Sequence, residues 1–182
     1  GTVALAANAI SNSVASLANI PGRGINMASI TIIGQSLGAK RPEMATFYGK
    51  RLLFMAYVSI ALITIPLFIL APSVVQIFNL SAEATILASN IIRTAMVAST
   101  LIWPFSFTIP NFLRAAGDVK YTMVVSMFSM WVFRVGSSYV LSFYLGFGVY
   151  GVWFGMYIDW LCRGIFYIIR FSRGKWKTKK VI

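Results

Sequence analysis

Histidine is absent from this sequence, cysteine occurs once, as Cys162, and only four side chains are acidic: Glu43, Glu83, Asp118 and Asp159. The first two scarcities leave no disulfide framework and no zinc site, and they remove the commonest general base. Four scattered carboxylates offer no pair for acid–base work, so the chain is read as a non-enzyme with no cofactor and no metal. Cys162 is assigned to packing. Charge of either sign is scarce: 11% of 182 residues are charged, where soluble domains carry about a quarter.

What fills the chain instead is apolar. Hydrophobic residues make up 58% and aromatics 15%, in blocks long enough to cross a bilayer, which takes about 20 residues each. The reading is an all-α membrane protein forming a single transmembrane domain, with the lipid bilayer as its first partner. Five spans can be drawn, at about 4–38, 49–78, 82–114, 120–144 and 149–171, with a basic tail over 172–182. The first is roughly 50 Å long at 1.5 Å per residue, so it must tilt, break at Pro21-Gly22 or project beyond the membrane. The third carries Pro104 and Pro110.

The net charge of +12 would suggest nucleic acid on a soluble chain. Here the basic residues gather at span ends, and no nucleic-acid partner is expected. Lys40, Arg41, Lys50 and Arg51 follow the first span, and Arg114 and Lys120 follow the third. Arg170, Arg173, Lys175, Lys177, Lys179 and Lys180 follow the fifth, while "NLSA" and "LGFGVYG" hold no basic residue. The positive-inside rule then sets the C-terminus in the cytoplasm and the protein in the plasma (cytoplasmic) membrane. Five spans leave the N-terminus outside. Without a signal peptide, a further upstream span is expected, so the sequence reads as a piece of a longer protein.

Arg23, Arg93, Arg134, Arg163 and Asp159 fall inside spans. A charge at that depth costs about 2.5–3.5 kcal/mol on insertion scales, so each should face protein or water. Arg134 lies twelve residues before Gly146 and Asp159 thirteen after it, which places both at similar depth on antiparallel neighbours. Asp159 also precedes Arg163 by four residues, the favourable order along one helix. An intramembrane ion pair of Asp159 with Arg134, Arg163 or both is expected, clamping the last two helices; a role in ion or proton coupling is the alternative. Gly151, Gly155 and Asp159 repeat every four residues, a face where helices approach closely. Gly34 and Gly38 form a second such pair. Arg93 sits in a hydroxyl-rich, proline-broken span, which either lines a wet cavity or bonds back to its own carbonyls.

Three stretches resemble the C-terminal half of a multidrug and toxic compound extrusion (MATE) transporter. "ALAANAISNSVASLANIPGRGINMASITIIGQSLGAKRPEMA" is similar to the long second helix of a lobe. "NFLRAAGDVKYTMVVSMFSMWVFRV" resembles a cytoplasmic loop and the fifth helix, and "GVYGVWFGMYIDWLCRGIFYIIRFSRGKWKTKK" the last helix and basic tail. The resemblance implies five transmembrane helices of a MATE-like six-helix lobe, half of a twelve-helix, two-lobe transporter, with the N-terminal lobe and one further helix absent. It also implies efflux of small cationic amphipathic substrates in exchange for sodium or protons. The third span has no acid beyond Glu83 at its edge, so no coupling-ion site of that lobe carries over.

On that reading the candidate cavity residues are Asn19, Asn26, Gln35, Arg93, Ser99 and Trp103, with Pro104 shaping the third span. Asn19 and Asn26 are equally suited to bonds between helices, and Gln35 to a cap or gate. A lipid-linked oligosaccharide or peptidoglycan-precursor flippase of similar architecture is the alternative function. It gains if Arg23 and Arg93 both line an open cavity unpaired, because guanidinium groups suit a pyrophosphate headgroup, and the exporter holds if they are paired or point at headgroups.

Overall fold

The computed structural model describes residues 1–178 of the chain, and the side chains of residues 1–176. Of the basic residues expected in the tail, the side chain of Lys177, and Lys179 and Lys180 entirely, lie outside the described residues. Among the described residues, four helices are long and apolar enough to cross a bilayer, and a bent pair, counted as one span, brings the number to five. No strand occurs among the described residues.

The first span is that bent pair, α1 (Thr2–Ala18) and α2 (Ile20–Gly38), joined at 45°. Pro21 sits in the first turn of α2, where it has no N–H to carry the α1 hydrogen-bond ladder onward. Asn19 occupies the junction, and its amide donates back to the Ala15 carbonyl at 2.9 Å. The break therefore falls two residues before the expected Pro21-Gly22 and has the same cause. Gly22 lets two neighbours close in: a Cβ there would lie 2.7 Å from the Ile60 Cδ1 and 2.5 Å from the Trp103 ring.

Helix α3 runs Pro42–Gln76, with proline in its first turn beside Glu43, both favourable at a helix start. It begins seven residues ahead of the expected 49, so Lys50 and Arg51 ride on a helix rather than in a loop. At 35 residues it is about 52 Å long. Ser81 caps α4 (Ala82–Leu101) by accepting from the Ala84 N–H at 3.3 Å. The expected third span then breaks twice at its prolines, into α5 (Trp103–Phe107) and α6 (Ile109–Ala115).

Helix α7, Val119–Tyr144, contains two π-helical stretches, Met130–Val135 and Val140–Tyr144. Only 6% of its apolar window is buried, so it touches the bundle along one narrow edge and presents the rest outward. Gly146 and Gly148, both at positive φ, turn the chain into α8, Val149–Ser172.

Two apolar cores result. One joins α1, the C-terminal half of α3, α4 and the first half of α8, around Ile60, Ile91, Met96 and Trp153. The other joins α2, the start of α3, α6 and the end of α8, around Ile33, Phe112, Leu113 and Tyr167. The breaks at Asn19 and at 102–108 lie between them. In hydrocarbon no hydrophobic force draws helices together, so contact relies on close approach and hydrogen bonds. Gly151 and Gly155 provide that approach, as a Cβ on either would lie within 2.7 Å of the main-chain nitrogen of Ser142 or Ser138 on α7.

Gly34 and Gly38 do not. A Cβ at either meets nothing within 4 Å among the described residues, because that face of α2 turns away from α3 and α6. Gly34→Ala should accordingly be tolerated, and should raise the thermal midpoint slightly, since alanine stabilises a helix interior by about 0.5–1 kcal/mol over glycine. A fall in the midpoint of the purified protein would mean that this face is packed.

Candidate functional site

A cavity of about 490 Å³ opens beside the two breaks. On α1 and α2 its wall is a single polar stripe. Asn12, Asn19 and Asn26 recur every seven residues, close to two helical turns, with Ser16 and Arg23 falling four residues after the first two. The facing wall on α8 repeats Trp153, Met156, Trp160, Arg163 and Tyr167 at intervals of three and four. The broken third span contributes Trp103 and Phe107, with Asn111 and Arg114 nearer its end, and α7 contributes Arg134. Trp103 stacks on Phe107, ring centroids 5.0 Å apart, and Phe107 meets Trp160 edge-on at 5.4 Å. Among the described residues the lining is thus aromatic and basic, with no acidic side chain in it.

Of the expected cavity residues, Asn19, Asn26 and Trp103 line this space. Ser99 stands behind the wall, fully buried, accepting from the Asn19 amide at 3.4 Å. Pro104 is buried at the start of α5, and its effect is the break itself. Gln35 lies exposed near the end of α2, away from the cavity, because the stripe leaves the wall after Asn26. Arg93 faces a different pocket, an apolar one of about 370 Å³ lined by Phe68, Val97, Phe154 and Tyr157. Position 93 falls on the flank of α4 between α3 and α8, and its guanidinium stands 6.0 Å from the Phe68 ring centroid. Asn12, Ser16, Arg114, Trp153, Trp160 and Tyr167 were not among the expected residues. The seven-residue spacing of the three asparagines was the signal that could have found the first two.

Asp159 lies behind the cavity wall, where Arg134 and Arg163 reach back to it. Asp159 is 1% exposed. Its Oδ2 lies 3.2 Å from Arg163 Nη2 and 3.4 Å from Arg134 Nε, the latter an ion pair without hydrogen-bond alignment. The Ser129 hydroxyl on α7 donates to Oδ1 at 2.5 Å. Arg163 also lies over the Phe107 ring, 4.8 Å from its centroid. One carboxylate thus ties α7 to α8 and holds two guanidinium groups at the cavity edge.

A second clamp was not expected from the sequence. Arg170 donates to both oxygens of Asp118, from Nε at 2.7 Å and Nη2 at 3.1 Å, and its guanidinium covers the Tyr121 ring at 4.6 Å. It fastens the end of α8 to the α6–α7 turn. Asp118→Asn keeps the shape but surrenders the charge, and should cost about 1.5–3 kcal/mol, the range for hydrogen bonds to charged groups. Thermal unfolding of the purified protein, wild type against variant, measures that loss.

Residues 1–140 match the MatE family model, more than three quarters of the chain. The chain belongs to the MatE family. Its described fold and the three stretches resembling multidrug and toxic compound extrusion transporters agree with that membership. Among MatE relatives, it is 28% identical over 162 residues to the uncharacterized transporter YisQ of Bacillus subtilis, covering 87% of this chain and 34% of that protein. It is 24% identical over 188 residues to the probable multidrug resistance protein NorM of Thermotoga maritima, covering 100% and 39%. The probable multidrug resistance protein YoeA of Bacillus subtilis is also 24% identical, with the same coverage. The chain therefore spans between a third and two fifths of the length of these relatives.

Proposed function

We propose that this chain forms five helices of the C-terminal lobe of a twelve-helix MatE transporter that exports amphipathic compounds by alternating access. The observation that carries the reading is the cavity. It is a polar and aromatic chamber beside proline-broken helix segments, where irregular backbone is tolerated because it lines a wet space. Two of the relatives carry the name probable multidrug resistance protein, which supports an exporter. The basic ends of the helices support a cytoplasmic C-terminus and a location in the plasma membrane.

Among the described residues the cavity lining contains no carboxylate, and we assign no coupling-ion site within it. A cationic amphipath, the substrate class implied by the resemblance, would meet four guanidinium groups here, and we assign it no seat in this cavity. The flippase alternative gains if Arg23 and Arg93 both line an open cavity unpaired, and the exporter holds if they are paired or point at headgroups. Arg23 lines the polar cavity and Arg93 a separate apolar pocket, its guanidinium 6.0 Å from the Phe68 ring centroid, so the transport test below decides between the two readings.

The test is transport by the full-length protein that carries this chain, reconstituted in liposomes under imposed sodium or proton gradients. Gradient-driven movement of ethidium or carboxyfluorescein is the expected result. Gradient-independent movement of a fluorescent lipid, with neither dye transported, would transfer the function to the flippase reading.

A further inference from the structure

Four arginines line the cavity: Arg23 on α2, Arg114 at the end of α6, Arg134 on α7 and Arg163 on α8. One carboxylate, Asp159, is within ion-pair reach of two of them, Arg134 and Arg163. Arg23 and Arg114 have no carboxylate within 4 Å among the described residues, and Arg114 touches only the Asn111 side-chain oxygen, at 3.4 Å. Four positive charges against one negative leave the chamber at +3.

Among the described residues, five polar side-chain atoms of the lining are buried without a hydrogen-bond partner: Asn19 Oδ1, Asn26 Oδ1, Arg134 Nε, Trp160 Nε1 and Arg163 Nε, of which Arg134 Nε is within ion-pair reach of Asp159. The Asn19 amide nitrogen already donates to the Ala15 carbonyl and the Ser99 hydroxyl, which fixes its Oδ1 as an acceptor. The indole and the guanidinium groups can only donate. The N–H groups of Trp160 Nε1 and Arg163 Nε lie just beneath the cavity surface, without exposed area of their own. An anionic acceptor in the cavity meets the charges of Arg23 and Arg114, which no carboxylate pairs among the described residues. The stacked Trp103 and Phe107 and the edge of Trp160 supply flat apolar walls beside those donors.

We infer that this cavity binds the anionic group of an amphipathic solute, a sulfonate, carboxylate or phosphate carried on an aromatic or aliphatic body. The acid group lies toward Arg23 and Arg163, and the body rests against Trp103, Phe107 and Trp160. The inference rests on the transporter reading and specifies its substrate class. It assigns this lobe ligands of opposite charge to the cations expected from the family resemblance. The shared chemistry is an anionic head on an apolar body, whether the source is a soluble compound or a membrane lipid.

The test uses the full-length protein carrying this chain, in phosphatidylcholine nanodiscs, with two probes sharing one ring system: 2-naphthalenesulfonate and (2-naphthyl)trimethylammonium. Equilibrium dialysis should show the sulfonate binding about tenfold or more tightly than the ammonium, as charge-assisted pairing requires. Arg23→Gln with Arg114→Gln should remove most of that preference, while Arg23→Lys with Arg114→Lys, which keeps the charge, should retain most of it. Size-exclusion profiles of both double variants check that each is folded. Adding phosphatidylglycerol to the nanodisc identifies the source. Competition with the sulfonate assigns the site to a lipid headgroup, and indifference assigns it to a soluble anion; both outcomes sustain the anion site. Equal or tighter binding of the ammonium, no binding of either probe, or a sulfonate affinity untouched by the folded double glutamine variant would overturn it. If gradient-driven dye transport persists in the presence of any of those results, the transporter reading survives and only the anion assignment falls.

Discussion

Asp159→Ala is expected to cost about 3–5 kcal/mol of stability, because removing one partner of a buried ion pair strands the other charge. Here it strands Arg163, whose side chain is 13% exposed, along with the Ser129 hydroxyl that donates to the same carboxylate, and it also removes the ion-pair partner of the more exposed Arg134. The effect should appear as a steep fall in monodisperse protein after detergent extraction and a much lower thermal midpoint. A charge-free double variant, Asp159→Leu with Arg163→Met, should recover a large part of the loss, since apolar replacement of a whole buried pair is often neutral. Arg134, at 37% exposure, can then turn to the cavity water. Asp159→Asn separates clamp from coupling. Gradient-driven transport that continues in a less stable protein fixes the residue as a clamp, whereas transport lost at unchanged stability would make it a relay.

Gly155→Val should be nearly as damaging for a different reason. The new Cβ would lie 2.7 Å from the main-chain nitrogen of Ser138 and 2.9 Å from its Cα. Those are backbone atoms of a helix, so no rotamer change relieves the clash and α7 must move away from α8. Overpacking costs about 1–3 kcal/mol where side chains can yield, and this site sits at or above the top of that range. The displacement also pulls Arg134 and Ser129 from Asp159, one turn further along α8, so the two losses are coupled rather than additive. Gly155→Ala should show the same effect at smaller size. A thermal midpoint for Gly155→Val equal to that of wild type would mean that α7 and α8 are not in the contact described.

Some of this was legible in the sequence because the physics was local or one-dimensional. Bilayer-length apolar blocks announce spans. Equal counting from the Gly146 turn set Arg134 and Asp159 at one depth, and four-residue spacing marked Gly151 and Gly155. The same four-residue rule failed at Gly34 and Gly38, since spacing shows that a close approach is possible and says nothing of what stands opposite. Arg93 was misplaced because its height in the membrane can be counted but its bearing around α4 depends on how α3 and α8 flank it. The Asp118–Arg170 clamp joins residues 52 apart through a turn whose path the sequence does not display. The asparagine stripe was available, but it crosses the bend at Asn19, and a register carried over a break reads as two unrelated halves.

The central claim is a water-filled chamber at bilayer depth, walled by one stripe of α1 and α2. Substituted-cysteine labelling tests it most directly, in the full-length protein with Cys162 replaced by serine. Asn12, Ser16 and Arg23 line the chamber, while Leu17, Ile20 and Met27, at 63%, 55% and 71% exposure, face outward where lipid belongs. Cysteines at the first three should react with a membrane-impermeant, water-soluble methanethiosulfonate reagent, and cysteines at the second three should not. Equal labelling of both sets, or none at positions 12, 16 and 23, would contradict the account.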